Sequence, residues 1–275
     1  MSKYIILIIS LFLTCCCHAQ PMPLIVDTDM GIDDVLAMLY LLQDPDVAIK
    51  AIIIDCNGNT NCPQAISHTE KLLQTTHQTT IPFAAGVKQS IGNGHAMYAP
   101  WKKKNDTLLR TTTLITTTTP QKMTGSQLLI NTLQSQKNPI TILAIGPLTN
   151  IALALQQDPK IKNNIKAMYI MGGAVNVPGN IPDFATNTPN HRAEWNIYFD
   201  PNAAQAVFAS GIPIKLIPLD VTNTTPITRD FYQKLAGIKQ KTPATQTATQ
   251  LLRDNMDLIE QQQWDFWDPL AAVVT

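Results

Sequence analysis

Between residues 24 and 40 the chain runs Leu24-Ile25-Val26-Asp27-Thr28-Asp29-Met30-Gly31-Ile32-Asp33-Asp34, then Val35-Leu36-Ala37-Met38-Leu39-Tyr40. An apolar run ends in four aspartates, and a helical pattern follows at once. This reads as a buried strand, a tight turn at Gly31 and a helix starting near Asp33. A strand this apolar implies a sheet covered on both faces. In open sheets of that kind, ligands bind at the carboxyl ends of the strands. Asp27 and Asp29 stand two apart, so both can lean the same way. Asp33 and Asp34 fall in the first helical turn, where the helix dipole favours negative charge. One dipole offsets only part of the repulsion among four carboxylates, so either some are protonated or a cation sits among them. Oxygen-only ligands suit Ca²⁺ or Mg²⁺. The plainer alternative is an acidic cap on a surface helix. It fits less well, because such caps seldom follow directly on so apolar a strand.

The rest of the chain repeats that alternation. Strands are expected at Ala48–Ile54, Ile81–Ala84, Ile140–Ile145, Ala167–Met171 and Ile214–Leu219. Helical patterns are expected at Pro63–Thr76, Gly125–Gln136, from a capping Thr149 to Gln156, Pro201–Ser210, in parts of Thr228–Leu252, and from near Asp268. Strands alternating with helices predict an α/β fold: one open, mostly parallel sheet flanked by helices, in a single domain. Residues 86–120 read as a long excursion, 176–192 as a loop, and Glu194–Phe199 as short and extended.

The N-terminus reads as a targeting segment. Lys3 is followed by the apolar run Tyr4–Thr14, too short to span a membrane, and Cys17-His18-Ala19 offers a cleavage site. Residues 1–19 are therefore expected to be a signal peptide, with export to a periplasm or the exterior. Lipidation at Cys15–Cys17 is the alternative. Cys56 and Cys62 remain beyond that segment. They could pair in an oxidising compartment, although two lone cysteines near a strand end are more often unpaired. With 20 basic and 20 acidic residues the formal charge is zero, which argues against nucleic acid or an acidic membrane as a general partner.

Polar residues collect where the strands end: the aspartates, then Asn57-Gly58-Asn59, then Met171-Gly172-Gly173, with Asn180, Glu194 and Asn196 following. Carboxylates and amides together can chelate a hard cation and grip vicinal hydroxyls, as on a sugar. Near the C-terminus Trp264-Asp265-Phe266-Trp267-Asp268-Pro269 adds a carboxylate among aromatics. Core packing is the ordinary reading of those aromatics, weakened for Trp264 by the polar Gln261–Gln263 before it.

These motifs resemble the inosine-uridine nucleoside hydrolase family. Asp27-Thr28-Asp29-Met30-Gly31-Ile32-Asp33-Asp34 looks like its D-x-D-x-G-x-D-D signature. Gly58-Asn59, Gly146-Pro147-Leu148-Thr149-Asn150, Met171-Gly172-Gly173, Glu194-Trp195-Asn196, Pro218-Leu219-Asp220-Val221-Thr222 and Trp267-Asp268-Pro269-Leu270 follow in family order. The resemblance makes residues 20–275 a nucleoside hydrolase domain that cleaves the N-glycosidic bond of ribonucleosides with one Ca²⁺. By matching position it implies Asp29, Asp34, Asp268 and the carbonyl of Ile145 as metal ligands, and Asp29 as general base. It implies Asp33, Asn59 and Asn196 on ribose hydroxyls, Asn180 and Glu194 on the 5′-hydroxyl, and Met171 against the sugar. Trp195 belongs to the same substrate-binding motif, and Asp27 is left as a support.

Many members carry a His before the last calcium-binding Asp, where this chain has Trp267. With Glu194-Trp195-Asn196, that resembles the purine-preferring branch, in which tryptophan stacking activates the leaving base. Trp101, Tyr98 or Trp264 would supply a second aromatic wall, and His95 is a weak acid candidate. Self-association is left open. Family chains usually continue further past this Asp, so the domain is expected to be shortened or the sequence to be a fragment. Two other readings stay open: a catalytically weak nucleoside- or ribose-binding protein, and a D-x-D phosphohydrolase.

Overall fold

The computed structural model describes residues 20–92, 94–110, 112, 118–184 and 188–275. The expected signal segment 1–19, its cysteines included, and most of the Thr-rich run 111–119 lie outside the described residues.

In chain order the first half comprises β1 (Met22–Thr28), α1 (Ile32–Leu41), β2 (Val47–Ile54), α2 (Cys62–Thr75), β3 (Phe83–Ala85), α3 (Ala99–Asp106), α4 (Gly125–Ser135), β4 (Ile140–Ala144) and α5 (Thr149–Gln157). The second half comprises β5 (Ile165–Met171), α6 (Ile181–Phe184), α7 (Trp195–Phe199), α8 (Pro201–Phe208), β6 (Ile214–Ile217), α9 (Leu219–Thr222), α10 (Arg229–Ala236), α11 (Pro243–Asp254), α12 (Met256–Glu260) and α13 (Trp267–Val274). The strands form one sheet in the order β3-β2-β1-β4-β5-β6. Every pairing is parallel, as the alternation of elements predicts.

The order explains where a site can form. From β1 the chain winds outward to β2 and β3, then returns to place β4 on the other side of β1. The helices that follow β1 and β4 therefore leave on opposite faces, which opens a crevice at the carboxyl ends of these two strands. Side chains alternate across the sheet. Leu24 and Val26 of β1 enter the apolar layer shared with α1, α2, α11 and α13. Ile25 enters the layer shared with α4, α5 and α8. Among the described residues no helix is long and apolar enough to cross a membrane.

Several local expectations need correction. Glu194–Phe199 is not extended: Trp195–Phe199 is a helical turn, because the Glu194 carboxylate accepts from the backbone N–H groups of Asn196 and Ile197 and caps it. The excursion at 86–120 carries α3, and the loop at 176–192 carries α6. Thr149 does not cap α5, since it lies inside the helix and its hydroxyl donates to Asp200 Oδ2 at 2.8 Å. Cys56 and Cys62 are bonded as a disulfide. Trp264 is 1% exposed and belongs to the core, whatever the polarity of its neighbours in sequence.

Candidate active site

At the end of β1 the backbone leaves the sheet through Met30, whose φ of +55° is left-handed. Such a conformation costs a non-glycine residue about 1–3 kcal/mol and persists only when its surroundings enforce it. Here they do. Met30 N donates to Thr28 Oγ1 at 3.1 Å, and Thr28 Oγ1 donates to Asp34 Oδ1 at 2.5 Å. Gly31 N, at the N-cap of α1, donates to Asp34 Oδ2 at 2.9 Å. The turn thus ties Asp34 to the strand it leaves.

Asp33 and Asp34 open α1, and Asp268 opens α13, which packs along α1. Their carboxylates come together, each offering an oxygen within 4.8 Å of the others. Asp34 and Asp268 are buried, and Asp268 Oδ1 has no hydrogen-bond partner. Burial first, and then neighbouring negative charge, raises these acids: Asp33 to about 7 with Asp29 beside it, Asp34 to about 6 with Asp33 beside it, and Asp268 well above the ordinary carboxylate range with Asp33 and Asp34 beside it. Three crowded carboxylates, one with an orphaned buried oxygen and no base among them, fit a hard cation bound through oxygen.

Asp29 adjoins this group and makes a side-chain contact with Asp34. The turn after β2 holds it from the other side. Asn59 donates to it twice, from its backbone N at 2.8 Å and its Nδ2 at 3.2 Å. Burial raises Asp29 well above the usual range, with the charge of Asp34 adding to it. After β4, Ile145 N donates to Asp27 O at 2.8 Å, and Gly146 lies so close that a β-carbon on it would sit 2.9 Å from Asp29 N. Ile145 is thereby set beside the aspartate turn. Asp27 occupies the face toward α5, where Asn150 Nδ2 donates to its Oδ1 at 3.3 Å.

The opposite wall comes from β5 and α7. Asn196 Nδ2 donates to the Met171 carbonyl at 3.2 Å, which ties the cap turn to the strand end. Glu194 is buried and accepts from Gly173 N at 2.9 Å as well as from its own helix. Burial raises its pKa against the lowering by these backbone N–H groups. Asn180 Oδ1 accepts from Trp195 N at 3.1 Å. Between the walls lies a cleft lined by Asp33, Asn59, Met171, Asn180, Glu194 and Asn196, with Met97, Trp101, Trp195, Trp267 and Asp268.

The inosine-uridine preferring nucleoside hydrolase family model matches residues 24–275. The chain belongs to that family.

As a nucleoside hydrolase it is similar to relatives with differing descriptions. It is 30% identical over 245 residues to the pyrimidine-specific ribonucleoside hydrolase RihA of Enterobacter sp. (strain 638), covering 89% of this chain and 74% of the relative. RihA of Escherichia coli O1:K1 / APEC is 31% identical over 246 residues, covering 89% and 75%. Among solved structures, the inosine-uridine preferring nucleoside hydrolase of Bacillus anthracis superposes with a TM-score of 0.79 at 26% identity, covering 92% of this chain and 80% of the other. The purine-preferring ribonucleoside hydrolase of Gardnerella vaginalis shares the fold, with a TM-score of 0.73 at 24% identity and coverage of 92% and 79%.

The cleft of this hydrolase gathers every residue expected on the sugar, together with Trp267 and Asp268. Among the described residues, Asp33, Asp34 and Asp268 bring their carboxylates closest together, and Asp29 lies beside them, engaged by Asn59. Of the candidates for a second aromatic wall, Trp101 lines the cleft, Tyr98 does not, and Trp264 is core. His95 is not in the lining either, and its ring stacks on Tyr198 at 3.8 Å. Sequence reasoning missed Met97, and it missed α3, which carries Trp101. The signal that finds α3 is Pro100 at the start of a short helix whose last turn holds Lys103 and Lys104.

Proposed function

We propose that this enzyme is a Ca²⁺-dependent hydrolase of the N-glycosidic bond of ribonucleosides, with a preference for purine nucleosides such as inosine. The observation that carries the reading is the convergence of the Asp33, Asp34 and Asp268 carboxylates beside a cleft lined by three tryptophans, Trp101, Trp195 and Trp267. Asp29, Asp34, Asp268 and the carbonyl of Ile145 would hold the ion, beside Asp33. When bound, Ca²⁺ lowers the pKa of a coordinated water and anchors the ribose 2′- and 3′-hydroxyls.

The chain's own groups do the rest. Asp29 takes a proton from the water that attacks C1′, as general base. Asp33, Asn59 and Asn196 orient the ribose, and the unpartnered Oδ1 of Asn59 is an acceptor suited to a hydroxyl. Asn180 and Glu194 receive the 5′-hydroxyl. Both Glu194 oxygens are already aimed by backbone N–H groups, so the acceptor is preorganised. Met171 lies under the sugar. The surrounding carboxylates offset the positive charge that develops on the ribose ring.

Base preference rests on the aromatic walls. Relatives described as pyrimidine-specific and as purine-preferring are both similar to this chain, so similarity alone does not choose. Trp267 stands where a general acid would stand, and an indole donates a hydrogen bond but no proton at neutral pH. Its Nε1 donates to Asn223 Oδ1 at 3.2 Å, which fixes the indole at the rim of the cleft it lines. A wide purine gains more from stacking than a pyrimidine does. Export to an oxidising compartment belongs to the same proposal, and the Cys56–Cys62 disulfide supports it.

The test is free-base release from inosine, guanosine, adenosine and uridine, with calcium and with a chelator. Release from inosine that stops on chelation is expected. No release from any of the four with calcium present would refute the reading.

A further inference from the structure

The residues from Cys56 to Cys62 link β2 to α2 and form a closed ring. The two cysteines are bonded, their Cα atoms are 4.7 Å apart, and both are buried. Asn59, the residue that grips Asp29 with two hydrogen bonds, stands at the middle of the ring.

Among the described residues, no backbone-to-backbone hydrogen bond joins two residues of this turn. Side-chain hydrogen bonds to neighbouring segments, made both by the turn's own residues and by residues of α3, hold it instead. Asn57 Nδ2 donates to Thr149 Oγ1 at 2.9 Å, and Thr60 Oγ1 donates to the Met30 carbonyl at 2.7 Å. From α3, Lys102 Nζ donates to the Gly58 carbonyl at 3.0 Å. Asn61 donates to Asp106 through both its backbone and its side chain. A turn without internal backbone bonds has many ways to relax, and the disulfide removes most of them.

We propose that the Cys56–Cys62 disulfide is a positioning device for the reaction: by closing this turn it fixes Asn59 against Asp29 and sets how tightly the site holds ribose. The proposal rests on the nucleoside hydrolase reading of the site. Its reach is local by construction. A cross-link that spans so few residues removes little entropy from the unfolded chain compared with one closing a long loop. What it restricts is the freedom of the segment that carries Asn59. The tolerance there is small, since a β-carbon on the neighbouring Gly58 would sit 2.0 Å from Asp29 Oδ2.

The experiment compares the parent chain with the double variant Cys56→Ala/Cys62→Ala, each with Asn59 and with Asn59→Ala. Two readouts are taken: steady-state kinetics on inosine, and amide hydrogen exchange of peptides covering 57–61 and the central strands. Loss of a supporting contact behind a ligand typically costs about 10-fold or more. The cysteine pair is therefore expected to raise KM about tenfold, with a smaller change in kcat, and to speed exchange at 57–61 while β1 and β4 keep their protection. In the Asn59→Ala background the KM penalty of the cysteine pair is expected to vanish, because the two changes act through one contact.

An equal penalty in that background would overturn the proposal, as would unchanged exchange at 57–61 or protection lost evenly across the sheet. Turnover by the parent is read first. Its absence would count against the proposed function, while the exchange comparison still decides whether the disulfide positions Asn59.

Discussion

Gly58 lies against Asp29 so closely that a β-carbon on it would stand 2.0 Å from the Asp29 Oδ2. The β2–α2 turn and the aspartate turn therefore meet with no room for a side chain, and Asn59 can reach Asp29 only because of that. Gly58→Ala must push the turn away and break both hydrogen bonds from Asn59. A displacement of about 1 Å at such a point can cost roughly 100-fold in rate. The expected outcome is a loss of that order in kcat/KM for inosine with the melting transition still cooperative, checked by kinetics and thermal melting. A variant as active as the parent would show that the turn relaxes harmlessly.

Trp264 and Trp267 are three residues apart and serve different ends. Trp264 is a fully buried core residue, so Trp264→Ala should destabilise the fold by about 3–5 kcal/mol. Urea unfolding measures this.

Trp267 lines the cleft. Stacking of a base on an aromatic side chain is worth about 1–3 kcal/mol. Trp267→Ala should therefore slow inosine hydrolysis by about tenfold or more, and affect a nitrophenyl riboside, whose leaving group needs no activation, much less. Equal losses on both substrates would argue against stacking as the activating device.

The carboxylate cluster makes the stability of the metal-free chain depend on pH. Folding raises Asp33 to about 7 and Asp34 to about 6 from an ordinary value near 3.8, and raises Asp29 and Asp268 as well. Between these limits the folded chain holds protons that the unfolded chain has released, so stability falls as pH rises from about 4 to about 7. His68 acts in the opposite sense, because burial lowers its pKa, but it is one group against several. In chelator, the melting temperature should be higher at pH 5 than at pH 7.5. Calcium should reverse the order by stabilising the ionised cluster. A metal-free melting temperature that rises from pH 5 to pH 7.5 would contradict this.

The sheet was legible because its central strands are buried on both faces: Leu24–Val26 of β1, Ala51–Ile54 of β2 and Ile140–Ala144 of β4 read as unbroken runs without a charge. The cleft was legible through ordered motifs at the strand ends. What escaped the sequence was set by contacts between distant segments. Glu194–Phe199 is helical because the side chain of Glu194 caps it, which an extended reading of a short segment does not foresee. Helix α3 holds its place through Lys102, Asn105 and Asp106 on a turn more than forty positions earlier. No local pattern records that. The disulfide was open in the sequence as one of two outcomes, and the tight β2–α2 turn decided it by bringing Cys56 and Cys62 together.

One cation, held by the carboxylates just after β1 and at the starts of α1 and α13, is proposed to enable hydrolysis. The most direct measurement is hypoxanthine release from inosine as a function of free calcium, for the parent and for Asp34→Ala, with calcium affinity measured in parallel by calorimetry. Parent activity is expected to saturate along the calcium-binding curve, and the variant to lose binding and turnover together. Activity retained in Asp34→Ala, or parent activity indifferent to a chelator, would contradict it.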